Sequence, residues 1–126
     1  PLLRNRLHYI GLRNDAERVM GAADVIVTPS LFESYGKVNV EAMACATPVV
    51  STNRGGPSET VLDGETGYLV PPEDPEALAL RVIQLLRNDA EREALGRAAR
   101  ERVLSHFAND VTSDQYIAQI DKWLSG

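Results

Sequence analysis

Two glutamates, Glu33 and Glu41, are the residues of this chain whose type and spacing could best do chemistry. They follow the apolar run Val25-Ile26-Val27, so we expect a strand, a loop that contains Gly36, and then a helix. A helix N-terminus presents backbone N–H groups and a partial positive charge, and both bind phosphate oxygens. Carboxylates do not hold phosphate, but they accept hydrogen bonds from sugar hydroxyls. The pattern therefore suits a ligand with a phosphate between sugars, such as a nucleotide-sugar.

The composition is that of one ordinary globular domain. The chain has 126 residues, of which 44% are hydrophobic and 25% charged, and its net charge is -5. Lys and Arg form no stripe along the sequence, which argues against a nucleic-acid partner. No apolar run approaches the roughly 20 residues of a membrane span. The single cysteine, Cys45, fits a packed core thiol and a reducing, cytoplasmic location.

Short apolar runs alternate with helical patterns along the chain. Strands are predicted at 7–10, 25–28, 48–51 and 68–70, and helices at 15–22, 37–45, 58–62, from Pro75 onward, 90–104 and 113–124. This alternation predicts an α/β fold with a mainly parallel sheet. The β-branched run at 25–28 predicts a strand that is buried on both faces.

Ligands in parallel sheets bind at the carboxyl ends of the strands. The loops expected there are residues 11–13, 30–37 and 52–58, and each contains glycine or polar residues. We therefore expect these three loops to converge on one crevice.

Several motifs then occur in order. They are Ala23-Asp24-Val25-Ile26-Val27-Thr28-Pro29-Ser30, Glu33-Ser34-Tyr35-Gly36, Glu41-Ala42-Met43-Ala44, Thr47-Pro48-Val49-Val50, Gly55-Gly56-Pro57-Ser58-Glu59 and Asp63-Gly64-Glu65-Thr66-Gly67-Tyr68-Leu69-Val70. From about Leu7 to Phe107 the chain resembles the C-terminal, donor-binding domain of the retaining GT-B glycosyltransferases (glycosyl transferases group 1, glycosyltransferase family four). The resemblance implies a Rossmann-like parallel sheet with flanking helices. It also implies transfer of a sugar from a nucleotide diphosphate sugar to an acceptor hydroxyl with retention, without cofactor or metal.

The resemblance implies a role for each residue of the motif. Glu33 matches the glutamate that contacts the donor sugar at the catalytic centre, and Glu41 matches the one that accepts from the ribose hydroxyls. The loop between them matches the segment whose backbone amides, at Gly36, Lys37 and Val38, meet the sugar and the diphosphate. Ser34 and Tyr35 belong to the same substrate-binding loop, and Gly11 and Leu12 match the segment that lines the nucleobase. Taken alone, either glutamate is better explained as a surface acid near a helix N-terminus.

The chain also departs from the family pattern. The arginine and the Lys-Gly pair that grip the diphosphate have no match, and the first two strand–helix units are missing. We therefore expect residues 1–126 to be a single partial domain, inactive alone, which lacks the N-terminal domain that binds the acceptor. The missing strand is central in the family sheet, so strands 7–10 and 25–28 should pair directly, or another chain or segment should fill the gap. Uncovered sheet or helix surfaces, with Ile117, Ile120 and Trp123 partly exposed, would favour homo-oligomers.

Two other interpretations stay open at this point. One is a relative on the same architecture, such as a sugar-nucleotide epimerase, although the motifs around Glu33 and Glu41 are typical of the transferases. The other is a non-catalytic binding or assembly module that keeps the fold. The expected partners are the nucleotide-sugar donor and the missing acceptor domain, and peripheral membrane association of a full-length protein is compatible with the resemblance.

Overall fold

The computed structural model describes residues 3–107 and 111–126, and from residue 117 onward the side chains of the last helix. Residues 1–2 and 108–110 of the predicted domain lie outside the described residues. The described elements are α1 (Ala16–Ala22), β1 (Ile26–Thr28), α2 (Lys37–Ala44), β2 (Val49–Thr52), α3 (Pro57–Thr60), β3 (Gly67–Val70), α4 (Pro75–Arg87), α5 (Asp89–His106) and α6 (Val111–Leu124). None of the described helices is both long enough and apolar enough to cross a membrane.

The three strands form one parallel sheet in the order β1-β2-β3. Val50 of β2 pairs with Val27 of β1 and with Tyr68 of β3. Because successive residues of a strand point to opposite faces, Val49 and Val50 belong to two different hydrophobic clusters. Helices α2, α5 and α6 cover the Val49 face, while α4 and Leu95 of α5 cover the Val50 face. The predicted α/β class and the Rossmann-like parallel sheet with flanking helices are therefore confirmed.

The predicted strand at residues 7–10 is wrong. This segment has no regular structure, and its apolar side chains are exposed, Tyr9 at 97%. The expected direct pairing with β1 is therefore also wrong. Within the described residues β1 pairs on one side only, with β2, and Val27 is 38% exposed, so the prediction of a strand buried on both faces is wrong for β1. That another chain or segment pairs with the open edge of β1 stays a prediction.

Helix α6 packs more fully than the sequence suggested. Ile120 is buried, so the expectation that it is partly exposed is wrong, whereas Ile117 packs against the same core and is only partly buried. Arg100 of α5 holds α6 in place: its guanidinium donates to the carbonyl of Ala44 at 2.5 Å and pairs with Asp121. Trp123 is 41% exposed, as expected. The guanidinium of Arg18 lies 4.9 Å from the centre of its ring.

The C-terminus of α2 ends in a tight turn. The N–H groups of Ala46 and Thr47 donate to the carbonyls of Met43 and Ala42, both at 3.0 Å, which is the pattern of a Schellman motif. The motif requires a left-handed residue at Ala46, and its φ is +58°. Helix α5 lies directly on this turn at Gly96, where a Cβ would be 2.1 Å from the carbonyl oxygen of Ala46. The turn therefore fixes both the end of α2 and the approach of α5.

Candidate functional site

The loops that follow β1 and β2 meet at the carboxyl end of the sheet, as predicted. Glu33 in the first loop forms a parallel bridge with Gly55 in the second, and the N–H of Gly56 donates to the Glu33 carbonyl at 2.7 Å. At the base of the loops, the hydroxyl of Thr52 donates to the carbonyl of Ser30 at 2.5 Å. Main-chain contacts thus hold Glu33 in place.

Two consecutive glycines make this contact sterically possible. A Cβ at Gly55 would lie 2.0 Å from the carbonyl oxygen of Glu33, and one at Gly56 would lie 2.3 Å from the carbonyl group of Tyr35. Gly55 also has a φ of +78°, a conformation that side chains disfavour. Any larger residue at these positions would displace the loop that contains Glu33.

Helix α2 begins where the two loops meet. Its N-cap residue is Gly36, which has a φ of +77° and no side-chain cap among the described residues. Gly36 is buried beneath the exposed Lys37 and Val38. The first N–H groups of any helix have no acceptor within the helix, and they carry the positive end of its dipole. The end of α2 therefore offers hydrogen-bond donors at the carboxyl edge of the sheet, where ligands of such folds bind.

Glu41 lies one turn further along α2 and borders a cavity of about 280 Å³. The cavity lies between α1, α2 and α6. Its lining residues are Arg13, Asn14, Ala16, Glu17, Met20, Glu41, Gln119 and Ile120. Polar side chains from α1, from α6 and from the segment before α1 therefore line the same cavity as Glu41.

The environment of Glu41 disfavours its charge. Burial raises the pKa of the Glu41 carboxyl above its ordinary value, with a smaller contribution in the same direction from the charge of Glu17. Lys37, whose Nζ lies 4.0 Å from Oε1 of Glu41, opposes this effect and lowers the pKa. The carboxylate is thus partly desolvated and only partly compensated, so hydroxyl donors from a ligand would stabilise it.

Substitution Glu41→Gln should stabilise the protein near neutral pH but not in acid. Because the folded-state pKa is raised, the carboxyl supports folding fully below its unfolded-state pKa, and this support is lost as the pH rises through the folded-state value. Glutamine is neutral at every pH and avoids this loss. We expect urea denaturation to give equal stabilities near pH 4 and a more stable variant at pH 7.5.

The control for this experiment is Glu65→Gln, which removes the same charge at an exposed turn. A similar pH dependence in both variants would assign the effect to net charge and contradict the role of Glu41 burial.

The remaining predicted site residues belong to two segments, the loop of Glu33 and the segment before α1. Ser34 and Tyr35 are exposed on the loop beside Glu33. Gly11 and Leu12 are exposed, and no described contact joins them to the loop of Glu33. Arg13, the next residue in the chain, lines the Glu41 cavity. The structure therefore brings together the loops after β1 and β2, whereas the third predicted loop lies beside Glu41 through Arg13. The expected convergence on one crevice is seen for two of the three loops.

Sequence reasoning missed a buried polar cluster under the first turn of α2. Asn39, which is 1% exposed, is hydrogen-bonded to Thr28 at the end of β1 and to Ser51 near the end of β2. The available signal was an amide side chain within the otherwise apolar run Val38-Asn39-Val40. A buried polar side chain requires hydrogen-bond partners, and these partners cannot be identified from the sequence unless the topology is known.

Two other kinds of site, a nucleophilic cysteine and a metal centre, were assessed in the structure. Cys45 is buried, and burial raises the pKa of its thiol to about 11, which agrees with a packed core thiol and not with a nucleophile. Among the side chains that the structure describes, those of residues 3–107 and 117–126, no three His, Cys, Asp or Glu cluster as metal ligands would. Independence from metals and cofactors stays a prediction.

The fold and this edge define a class of protein. A parallel Rossmann-like sheet with a helix N-terminus at its carboxyl edge is the architecture of α/β proteins that bind ligands at that edge. The model of the family "Glycosyl transferases group 1" matches residues 2–102, and the chain belongs to this family.

Known relatives agree with this assignment. The D-inositol 3-phosphate glycosyltransferase of Corynebacterium diphtheriae is 42% identical over 109 residues, which are 85% of this chain and 25% of the relative. The N-acetyl-alpha-D-glucosaminyl L-malate synthase of Bacillus anthracis is 32% identical over 114 residues, which are 90% of this chain and 30% of the relative.

Solved structures give the same result. The HepE protein of Anabaena, at 30% identity, matches with TM-scores of 0.82 in its complex with UDP and 0.80 in its complex with UDP-glucose. In both cases the match covers 98% of this chain and 33% of HepE. The chain thus spans about a third or less of the length of these relatives.

Proposed function

We propose that this chain is the donor-binding part of a retaining glycosyltransferase that uses a nucleotide diphosphate sugar. The observation that carries the proposal is the placement of α2. Its N-terminus lies at the meeting point of two loops, with Glu33 before it and the partly desolvated Glu41 behind it. The relative HepE, solved with UDP and with UDP-glucose on a matching fold, supports the choice of ligand.

Each group at this edge has a role in the proposal. The amides of Gly36, Lys37 and Val38 receive the diphosphate, whose charge the helix dipole favours. The carboxylate of Glu41 accepts hydrogen bonds from the ribose hydroxyls, and Glu33 contacts the donor sugar. In the reaction the bond between the anomeric carbon of the sugar and the diphosphate oxygen breaks. The acceptor oxygen bonds to the same face of that carbon, and the acceptor proton passes to the departing diphosphate. Stabilisation of the departing diphosphate by the amides contributes to the rate.

In the proposal, this chain contributes few residues to the nucleobase site and none to the acceptor site. Gly11 and Leu12 are proposed to lie along the base, next to the cavity of Arg13 and Glu41. The acceptor site and further diphosphate contacts are assigned to parts of a longer protein. We therefore expect the 126-residue chain to bind the donor without transferring its sugar.

Calorimetry with UDP, GDP and ADP tests the proposal on the 126-residue chain. One of these nucleotides should bind, its nucleotide-sugar should compete, and Glu41→Ala should weaken binding about tenfold or more, since hydrogen bonds to a charged group contribute about 1.5–3 kcal/mol. Glu65→Ala, the same change at an exposed turn, is the matched control and should bind as the unmodified chain does. Absence of binding by all three nucleotides would contradict the proposal and favour a non-catalytic assembly module.

A further inference from the structure

A buried polar cluster, made of Thr28, Asn39 and Ser51, lies under the first turn of α2. The hydroxyl of Thr28 is 2.8 Å from Oδ1 of Asn39 and 2.7 Å from Oγ of Ser51. The amide nitrogen of Asn39 donates to the same Ser51 oxygen at 3.1 Å. Ser51 is fully buried and Asn39 nearly so. One side chain from α2 is therefore tied to the carboxyl ends of both β1 and β2.

This cluster sits directly beneath the N-terminus of the helix. The backbone N–H of Asn39 donates to the carbonyl of Gly36 at 2.9 Å, and a Cβ at Gly36 would lie 3.5 Å from the side-chain nitrogen of Asn39. Gly36 in turn is the left-handed residue that starts α2. The position of its first amides relative to the sheet therefore depends on Asn39.

An apolar side chain of similar size would fill this space but would make none of the hydrogen bonds of Asn39. Buried polar groups stabilise a fold little more than apolar ones do, but their hydrogen bonds have directions and admit a single arrangement. The three hydrogen bonds of the cluster fix the rotation and height of the first turn above the strand ends. Such precision matters where amides must meet phosphate oxygens, because small displacements of a binding group weaken it strongly.

We propose that Asn39 is a positioning residue for the diphosphate, with Thr28 and Ser51 as its anchors on the two strands. This inference rests on the proposed function, because it concerns the amides of Gly36, Lys37 and Val38 that would bind the diphosphate. Asn39 acts through the helix and does not touch the ligand.

The test separates the phosphate from the rest of the nucleotide. Asn39→Leu keeps the approximate volume and removes the hydrogen bonds, and Ser51→Ala removes the shared anchor. We measure the dissociation constants of UDP and of uridine, or of the GDP–guanosine or ADP–adenosine pair if that base is selected. UDP should bind about tenfold more weakly to Asn39→Leu and about threefold more weakly to Ser51→Ala, while uridine should stay within about twofold.

A matched control removes the effect of stability. Leu85→Ala creates a cavity in the hydrophobic cluster on the other face of the sheet. This variant should lower the unfolding midpoint at least as much as the two test variants, yet it should bind UDP and uridine as the unmodified chain does.

Three results would overturn the inference. They are unchanged UDP affinity in Asn39→Leu, equal weakening of UDP and uridine, or a loss of UDP affinity in Leu85→Ala that matches its stability loss. If Asn39→Leu does not fold, Ser51→Ala decides by the same criterion. Failure of the unmodified chain to bind any nucleoside diphosphate contradicts the proposed function instead, so the two failures are distinguishable.

Discussion

Substitution Gly55→Ala should lower the free energy of unfolding by about 3 kcal/mol, as measured by urea denaturation. The new methyl group would lie 2.0 Å from the carbonyl oxygen of Glu33, and neither backbone can yield without moving the loop. The left-handed φ of +78° adds its own strain. If the loop binds a nucleotide-sugar as proposed, nucleotide affinity should fall together with stability.

Gly64→Ala is the matched control for this experiment. Gly64 has the same φ of +78°, and a Cβ there would have no atom within 4 Å among the described residues. The control should lose about 1 kcal/mol, the cost of the left-handed conformation alone. Equal losses at both positions would show that the approach of the two loops is not tight, and would contradict the site geometry.

Substitution Gly96→Ala should destabilise the protein by about 2 kcal/mol, although alanine is the better helix former. Gly96 lies inside α5, where replacement of glycine by alanine ordinarily stabilises a helix by about 0.5–1 kcal/mol. Here the methyl group would lie 2.1 Å from the carbonyl oxygen of Ala46 and force α5 away from the turn that ends α2. Thermal or urea denaturation measures the difference.

The opposite sign is expected at Gly21 of α1. A Cβ there would contact only a methyl group of Leu124, at 4.0 Å, within the part of the chain that the structure describes. Gly21→Ala should therefore raise the free energy of unfolding by about 0.5 kcal/mol. A stabilising effect of Gly96→Ala would mean that α5 can move off the Ala46 turn without loss.

The elements that the sequence predicted well are those whose signals are local. A helix was predicted from Pro75 onward, and α4 begins at that residue. Asp74 caps it, since its Oδ1 accepts from the Ala77 N–H at 2.9 Å. The runs around Val50 and Tyr68 were predicted as strands, and both lie in the sheet. Caps and apolar runs act over a few residues, so they can be read without knowledge of the fold.

The predictions that failed depended on distant neighbours. Residues 7–10 have strand-forming side chains, but a strand needs a partner, and in the described chain no strand lies beside them. The burial of Ile120 depends on α2, which lies more than 70 residues before it in the chain. The partners of Asn39 come from two different strands, so its hydrogen bonds follow from the topology alone.

The candidate site shows the same division. The loop that contains Glu33 and Gly36, and the helix that contains Glu41, were predicted from the local order of an apolar run, a glycine and a helical pattern. The cavity beside Glu41 was not predicted, because it is formed by α1, α2 and α6, whose arrangement depends on the fold. The roles of Glu33, Gly36 and Glu41 in ligand binding stay predictions.

The contact between the loops of Glu33 and Gly55 is made by main-chain atoms, and this bears on how such a site can diversify. Since backbone groups hold the frame, the exposed side chains of Ser34, Tyr35 and Arg54 can be exchanged without loss of the loop geometry. Substitutions at these positions should therefore change the free energy of folding little. A scaffold of this kind can accumulate changes in ligand preference one residue at a time, while each intermediate along the way remains folded.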